Sequence, residues 1–451
     1  VLFSGLTVVF ALLGLLIIPH AVFVSLGLGA ISVVTVAVLA GLTLLPAVLS
    51  VMGDKVDRFS IRIPGRRKKG DGGEGPKYWD RFARIVMRFP VISLIAGVGL
   101  LVAVSISYFD INTGSSGVST FPDDFRAKQG FEVLQEDFGF GLDAPAEIVI
   151  IATDVHAAPI QEAIQKLTSA LRDDDRFGPA DLEFNDDGDL ALLAVPLEGD
   201  ATSEATADAV KRLRERYIPE AFSGVPEAEV LVGGQTAVDN DFNEVALTYQ
   251  PIVIALVLSL SFVLLMVVFR SIVIPVTSII MNLLSVGAAY GLLVLVFQKG
   301  YGNELFGFPQ TEVIQAWMPL MLFTILFGLS MDYQVFLLSR IRERYDKAGD
   351  NSESVVYGVT STAGLITGAA LIMVAVFGGF AAGKLEPLQQ FGFGMAVAVL
   401  VDATLVRSIL VPATMKLLGD RNWYLPRFLT WLPDFRVEGG PAIDPVGTGD
   451  D

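Results

Sequence analysis

Apolar runs long enough to cross a membrane recur along the chain. They cover residues 1–18, 22–52, 90–108, 250–269, 272–297, 317–338, 356–380 and 391–418. A helix rises about 1.5 Å per residue, so about 20 apolar residues span the ~30 Å hydrocarbon core. Eight spans are therefore expected. Between the third and fourth runs the pattern changes. EIVIIATD (147–154) reads as a strand, 157–171 as a helix, 181–185 and 189–197 as two strands, 203–217 as a helix and 228–232 as a strand. The order βαββαβ predicts a ferredoxin-like α+β domain. The expected fold class is a polytopic α-helical membrane protein with about eight spans and one ferredoxin-like extracytoplasmic domain.

Charge orients this pattern. Residues 53–88 carry 11 Lys/Arg, including the run Arg66, Arg67, Lys68 and Lys69. By the positive-inside rule that segment is cytoplasmic. The run reads first as solvated surface and second as a contact for anionic lipid headgroups. Residues 109–247 carry 29 Asp/Glu against 9 Lys/Arg, a net of −20 where the whole chain is −17. This acidic block falls on the outer side. The expected organisation is two spans over 1–52, a basic cytoplasmic linker over 53–89 and a span over 90–108. The outer domain follows over 109–247, then a five-span bundle over 248–418 and a cytoplasmic tail over 419–451. A hydrophobic share of 52% agrees with an integral membrane protein. There is no cysteine to staple any part of it. The first residue is Val, with neither a start methionine nor a signal-peptide pattern, so the chain is expected to begin inside a larger protein.

The two ends of the membrane part repeat. A shift of 366 residues places Ala37 on Ala403, Leu39 on Leu405, Leu44 on Leu410, Pro46 on Pro412, Ala47 on Ala413, Gly53 on Gly419 and Asp54 on Asp420. Repetition between halves is a mark of transport folds. The copies differ where Asp402 stands opposite Val36 and Arg407 opposite Gly41.

Chemistry follows from the polar residues left inside the spans. From Trp317 to Leu338 there are 22 residues with one acidic or basic side chain, Asp332. A carboxylate at that depth costs at least ~2.5 kcal/mol, so it marks a functional site such as a proton relay. Burial raises a carboxyl pKa toward a range where it can cycle with a proton gradient. Tyr333 stands about 100° around the helix and can share that interior face, or simply pack there. Asp402 also lies near mid-membrane. Arg407 follows by five residues, about 140° around a regular helix, so the two are not expected to pair on their own helix. A bridge to neighbouring spans, or a share in the proton relay, is expected of both. Gly364-x-x-x-Gly368 predicts close helix packing, and Asn282 an interhelical hydrogen bond. Ser330 and Ser339 read as bonded to backbone. His20 and His156 stand alone, so no metal site is expected and no cofactor is called for. No G-x-x-x-x-G-K-[ST] loop is present, which argues against an ATPase. Neither an enzyme nor a nucleic-acid binder is expected.

FGLSMDYQVFLLSRIRERY (327–345), MNLLSVGAAYGLLVLVFQ (281–298), ALIMVAVFGGF (370–380) and QFGFGMAVAVLVDATLVRSILVPATMKLLGDRNWYLP (390–426) resemble the MMPL branch of the resistance–nodulation–division transporters. VLFSGLTVVFALLGLL (1–16) resembles the fifth span of that family's first half. The resemblance implies twelve spans in a full member, two outer porter domains and Asp-Tyr pairs on spans four and ten. Here Asp332 and Tyr333 are the span-ten pair, and the span-four pair would precede Val1. Position 334 is Gln where many members carry an acid. The resemblance further implies proton-driven export of lipids or other hydrophobic molecules from a bacterial cytoplasmic membrane. Membrane lipid, an apolar substrate and the N-terminal half of the same protein are the partners it implies. The rival readings are an accessory membrane protein of the SecDF or sterol-sensing kind, and an inactive truncated transporter.

Overall fold

The computed structural model describes residues 2–53, 77–137, 145–429 and 431. The basic run Arg66–Lys69 and the tail beyond Trp431 lie outside the described residues. Seven helical segments among them are long and apolar enough to cross a membrane. They are 21–52, 90–110, 235–269, 273–298, 318–348, 351–381 and 386–423. The eighth expected span is shorter than a crossing. Helix α1 (Leu2–Leu13) ends in one tight 3-10 turn at Gly14–Ile17 before Pro19 stops it.

In the first span, α2 (Ala21–Leu42) and α3 (Leu44–Met52) meet at Thr43. The amphipathic α4 (Lys77–Arg88) leads into α5 (Pro90–Ser105), whose Pro90 sits at the first helical position, where a missing N–H costs nothing. The sequence repeat has a structural counterpart. Gly53 closes α3 with φ 48°, ψ −134°, and Gly419 closes the last membrane helix with φ 56°, ψ −133°. A positive φ of that kind favours glycine at both ends.

The acidic block begins with β1 (Thr113–Gly114) and α6 (Arg126–Asp137). It continues through β2 (Ala146–Ile151), α7 (Ala158–Arg172), β3 (Asp181–Phe184), β4 (Leu190–Val195), α8 (Glu204–Arg212), α9 (Ile218–Phe222) and β5 (Glu229–Gly233). The last four strands form one sheet in the order β3-β4-β2-β5, with every neighbouring pair antiparallel. β2 and β4 alternate between buried and more exposed residues, so one face of the sheet meets the helices. Ile148, Ile150, Leu193 and Val195 from the strands pack on Ile164, Leu167 and Leu171 of α7 and Leu213 beyond α8.

Helix α10 starts at Gln235, fifteen residues before its apolar run, and continues without interruption to Phe269. It joins the outer sheet directly to the membrane. α11 (Val273–Leu293), α12 (Asn303–Phe306), α13 (Met318–Ala348), α14 (Asn351–Ala381), α15 (Glu386–Val401) and α16 (Val411–Leu418) complete the bundle. α13 is central and packs against α1, α10, α11, α14 and α15. A short parallel pair, β1 with β6 (Ile314–Gln315), ties the chain leaving α5 to the chain entering α13. Lys299 pairs with Asp110 and Lys384 with Asp124 at the same level. Both pairs are exposed and worth little alone, though the Lys384 ammonium holds the Asp124 carboxyl below its ordinary value.

Close helix approach occurs at other glycines than the sequence suggests. A Cβ on Gly291 would overlap the Val104 carbonyl of α5, and one on Gly392 the Ala381 backbone. Gly364 and Gly368 are exposed, with nothing within 4 Å. The buried stripe of α14 runs through Val359, Ala363, Ile366 and Ala370, and the two glycines face away from it, roughly 130° and 170° around the helix. Among the described residues, Gly364 and Gly368 do not make the close helix packing that their spacing predicts. Gly291→Ala and Gly392→Ala are expected to destabilise the bundle by about 1–3 kcal/mol through overpacking. Gly364→Ala is expected to be neutral, or to stabilise by up to about 1 kcal/mol through helix propensity. Thermal unfolding of the detergent-solubilised variants checks both.

Candidate functional site at the Asp402–Arg407 pair

After α15 the backbone widens into a π-helix over Asp402–Leu410. Its i→i+5 register puts residues five apart on one face. Pro412 cannot donate to the Ser408 carbonyl, which removes one constraint on the ordinary register. The result corrects the expectation for Asp402 and Arg407, which assumed a regular helix. They pair with each other, Nε to Oδ2 at 3.0 Å and Nη2 to Oδ2 at 2.8 Å. Both are buried, at 6% and 3% exposed.

The pair then reaches α13. Arg407 Nη2 donates to the Ser330 carbonyl oxygen and, at 3.2 Å, to Ser330 Oγ. Ser330 Oγ in turn donates to Asn282 Oδ1 of α11 at 2.7 Å. Ser330 is therefore a side-chain connector, where its sequence suggested a backbone bond; Ser339 does bond the Val335 carbonyl. The guanidinium carbon of Arg407 lies 5.0 Å from the centre of the Tyr333 ring, within cation–π range. The Tyr333 hydroxyl points to Met373 Sδ of α14, 3.3 Å away. The ion pair thus touches α13 and, through Ser330 and Tyr333, is linked to α11 and α14. Beside it is a cavity of about 20 Å³, bordered by Asn282, Ser285, Ser330, Tyr333 and Asp402. That is room for one water. Asp402 Oδ1, Asn282 Nδ2 and Arg407 Nη1 are buried without a hydrogen-bond partner among the described residues.

Asp332 is adjacent in sequence but not in this network. It is half-buried and makes no hydrogen bond or ion pair among the described residues. It lies on the partly open stripe of α13 formed by Met321, Ile325, Leu329, Asp332, Phe336 and Arg340. The structure thus gathers Asn282, Tyr333, Asp402 and Arg407, leaves Asp332 on an open face and leaves Gly364 and Gly368 outside. Ser330 and Gln334 were legible only as polar residues one helical turn apart on α13. No group of three or more His, Asp or Glu among the described residues is arranged to hold a metal.

The sequence profile of the MMPL family matches residues 1–93 and 122–431. The chain belongs to the MMPL family. It is 36% identical over 431 residues to a protein of Mycolicibacterium smegmatis named mycolic acid-containing lipids exporter MmpL11, covering 94% of this chain and 44% of that one. It is 35% identical over 437 residues to the heme uptake protein MmpL11 of Mycobacterium tuberculosis, covering 96% of this chain and 44% of that one. A crystal structure of SecDF aligns with a TM-score of 0.48 and 14% identity over 92% of this chain and 47% of that one. The chain spans less than half the length of these MmpL11 relatives. It is a multi-pass bacterial membrane protein of a family whose relatives are named for transport.

A second feature of this MMPL chain lies above the bundle. A cavity of about 1100 Å³ opens between the outer domain and the helix ends. Phe23, Phe121, Phe131, Phe242 and Trp317 supply much of its wall, with Arg126, Asp200 and Asp239 among the charged groups.

Removing one member of a buried ion pair strands the other charge, at a cost of about 3–5 kcal/mol, whereas replacing both with apolar groups is often neutral. Asp402→Leu and Arg407→Met are each expected to lower thermal stability by that order. The double variant is expected to recover most of the loss. Melting curves test this, and additive single losses in the double variant would contradict it.

Proposed function

We propose that this chain forms the proton-handling half of an exporter of lipids or other hydrophobic molecules. In this reading α1 and the 21–52 span belong to a first repeat, followed by a second repeat of six spans and a porter domain. The outer α+β unit, with strand order β3-β4-β2-β5, is read as a ferredoxin-like porter domain, and the aromatic cavity beneath it holds the apolar substrate. The observation that carries the reading is the buried Asp402–Arg407 pair resting on Tyr333 and Ser330, next to the helix position of Asp332.

The chemistry follows from charge. With Asp402 ionised, Arg407 is neutralised and held between α13 and the π-helix. A proton on Asp402 removes the carboxylate charge and leaves the Arg407 charge uncompensated, held only by the Ser330 carbonyl and the Tyr333 ring it already touches. That exchange alters contacts on α13, the helix carrying Asp332. Asp332 on its open apolar stripe needs a covering element, because a carboxylate facing lipid costs at least ~2.5 kcal/mol. The span bearing the partner Asp-Tyr pair, which the family resemblance places in the other half, fits that role. Each proton moved through 100 mV supplies about 2.3 kcal/mol. The lipid class named for the Mycolicibacterium relative and the apolar cavity here both favour a lipid substrate.

Asp332→Asn and Asp402→Asn are expected to abolish proton uptake coupled to lipid transfer in vesicles, while fluorescent-lipid binding at the outer cavity is retained. Transfer that proceeds at the unsubstituted rate in Asp332→Asn rules the relay out.

A further inference from the structure

Helix α4 has two unlike faces, and only one of them meets the bundle. Ala83, Val86 and Met87 are buried. Trp79 borders a crevice of about 20 Å³, with Thr362 and Thr367 of α14 and Arg407 of the π-helix on its other sides. Arg84 fixes the helix in place. Its guanidinium donates to Asp80 one turn away at 3.1 Å and to Glu353 in the first turn of α14 at 2.8 Å. At 100° per residue, the face turned away from the bundle holds Arg81, Ile85 and Arg88, with Tyr78 beside them. Tyr78 is 70% exposed, Ile85 is 55% exposed, and both arginines are exposed. No acidic residue shares this face. Neither arginine has a hydrogen bond or ion pair among the described residues, although Arg88 lies 5.5 Å from the centre of the Phe89 ring.

The place of α4 in the chain decides what this face meets. The helix leads through Phe89 into the span that starts at Pro90, and it packs against α14 and α16. The charge pattern puts this end of the span in the cytoplasm. A helix held at that level with basic, aromatic and aliphatic side chains on one face lies in the headgroup layer. We propose that the outward face of α4 is a binding site for anionic phospholipids of the cytoplasmic leaflet. Arg81 and Arg88, two turns apart, each hold a phosphate-bearing headgroup. Tyr78 sits among the headgroups, and Ile85 meets the first acyl carbons. A zwitterionic lipid carries its own cation beside the phosphate, so two unpaired guanidinium groups favour the anionic class. The basic run Arg66–Lys69 lies outside the described residues, so the site rests on α4 alone. A lipid bound there also steadies the bundle, because the same helix seats Trp79 beside Arg407.

Native mass spectrometry of the detergent-solubilised chain tests the site, with dioleoyl phosphatidylglycerol and dioleoyl phosphatidylcholine titrated separately. The unsubstituted chain is expected to bind phosphatidylglycerol more tightly. Each basic side chain at an anionic surface is worth about fivefold in affinity. The Arg81→Gln, Arg88→Gln double variant is therefore expected to bind phosphatidylglycerol about 25-fold more weakly, with phosphatidylcholine binding unchanged. The Arg81→Lys, Arg88→Lys variant keeps both charges and is expected to bind as the unsubstituted chain does, which separates loss of charge from misfolding. Melting curves give a second readout. Added phosphatidylglycerol is expected to raise the Tm of the unsubstituted chain and of the lysine variant, and to leave that of the glutamine variant unmoved. Equal phosphatidylglycerol affinity in the unsubstituted and glutamine chains would overturn the site. An equal loss in a Lys347→Gln, Lys416→Gln variant would overturn it too, because those exposed lysines stand on the same side of the membrane away from α4; the attraction would then belong to the cytoplasmic surface at large.

Discussion

The bundle is built around a charge pair that has little water to solvate it. Asp402 and Arg407 are both more than nine-tenths buried, and desolvation of two ions is repaid only when geometry is good and the remaining hydrogen-bonding groups find partners. The π-helix supplies the geometry by bringing residues five apart onto one face. The Ser330 carbonyl and hydroxyl supply the partners, and Asn282 holds that hydroxyl. The arrangement makes α11, α13 and the α15–α16 segment depend on one another through a single guanidinium. A change in charge at Asp402 therefore cannot stay local.

The surrounding helices approach closely enough to exclude other solutions. Gly291 lets α11 lie against the backbone of α5, and Gly392 lets α15 lie against α14. The Tyr290 hydroxyl donates to the Pro319 carbonyl at the entry of α13, so this buried hydroxyl has a partner. With these seams fixed, the polar side chains between α11 and α13 face each other and little else. Among the atoms they leave unsatisfied, Asn282 Nδ2 and Gln334 Oε1 belong to residues that border the small cavities.

At the outer end the connection is covalent and short. α10 runs from the sheet into the membrane without a break, and the β1–β6 pair holds the chain around it. α13 begins at the large aromatic cavity, which Trp317, just before the helix, and Gln315, at the end of β6, help to line. The distance between the buried Asp402–Arg407 pair and the apolar cavity is spanned by helix.

Much of this was decided by sequence alone. Length and apolarity determine that these helices lie in lipid, because no other secondary structure satisfies every backbone group there. The sign of charge determines which loops stay inside, and Asp332, Tyr333, Asp402 and Arg407 declare themselves because ionisable or polar groups are rare at such depth. The order of elements βαββαβ marked the outer unit, and the Pro–Gly–Asp agreement marked a repeat whose two closing glycines adopt the same backbone. Tertiary structure decided the rest. The pairing of Asp402 with Arg407 was hidden because side-chain direction depends on helix register, and the shift to i→i+5 is a choice made by packing and Pro412 together. The role of Ser330 was hidden because its partners are 48 and 77 residues away in sequence. Gly364 and Gly368 misled because spacing identifies a face of small residues without saying what, if anything, stands opposite. Strand order, the burial of each face and the line of cavities all depend on which elements meet, and that is settled only when the chain has folded.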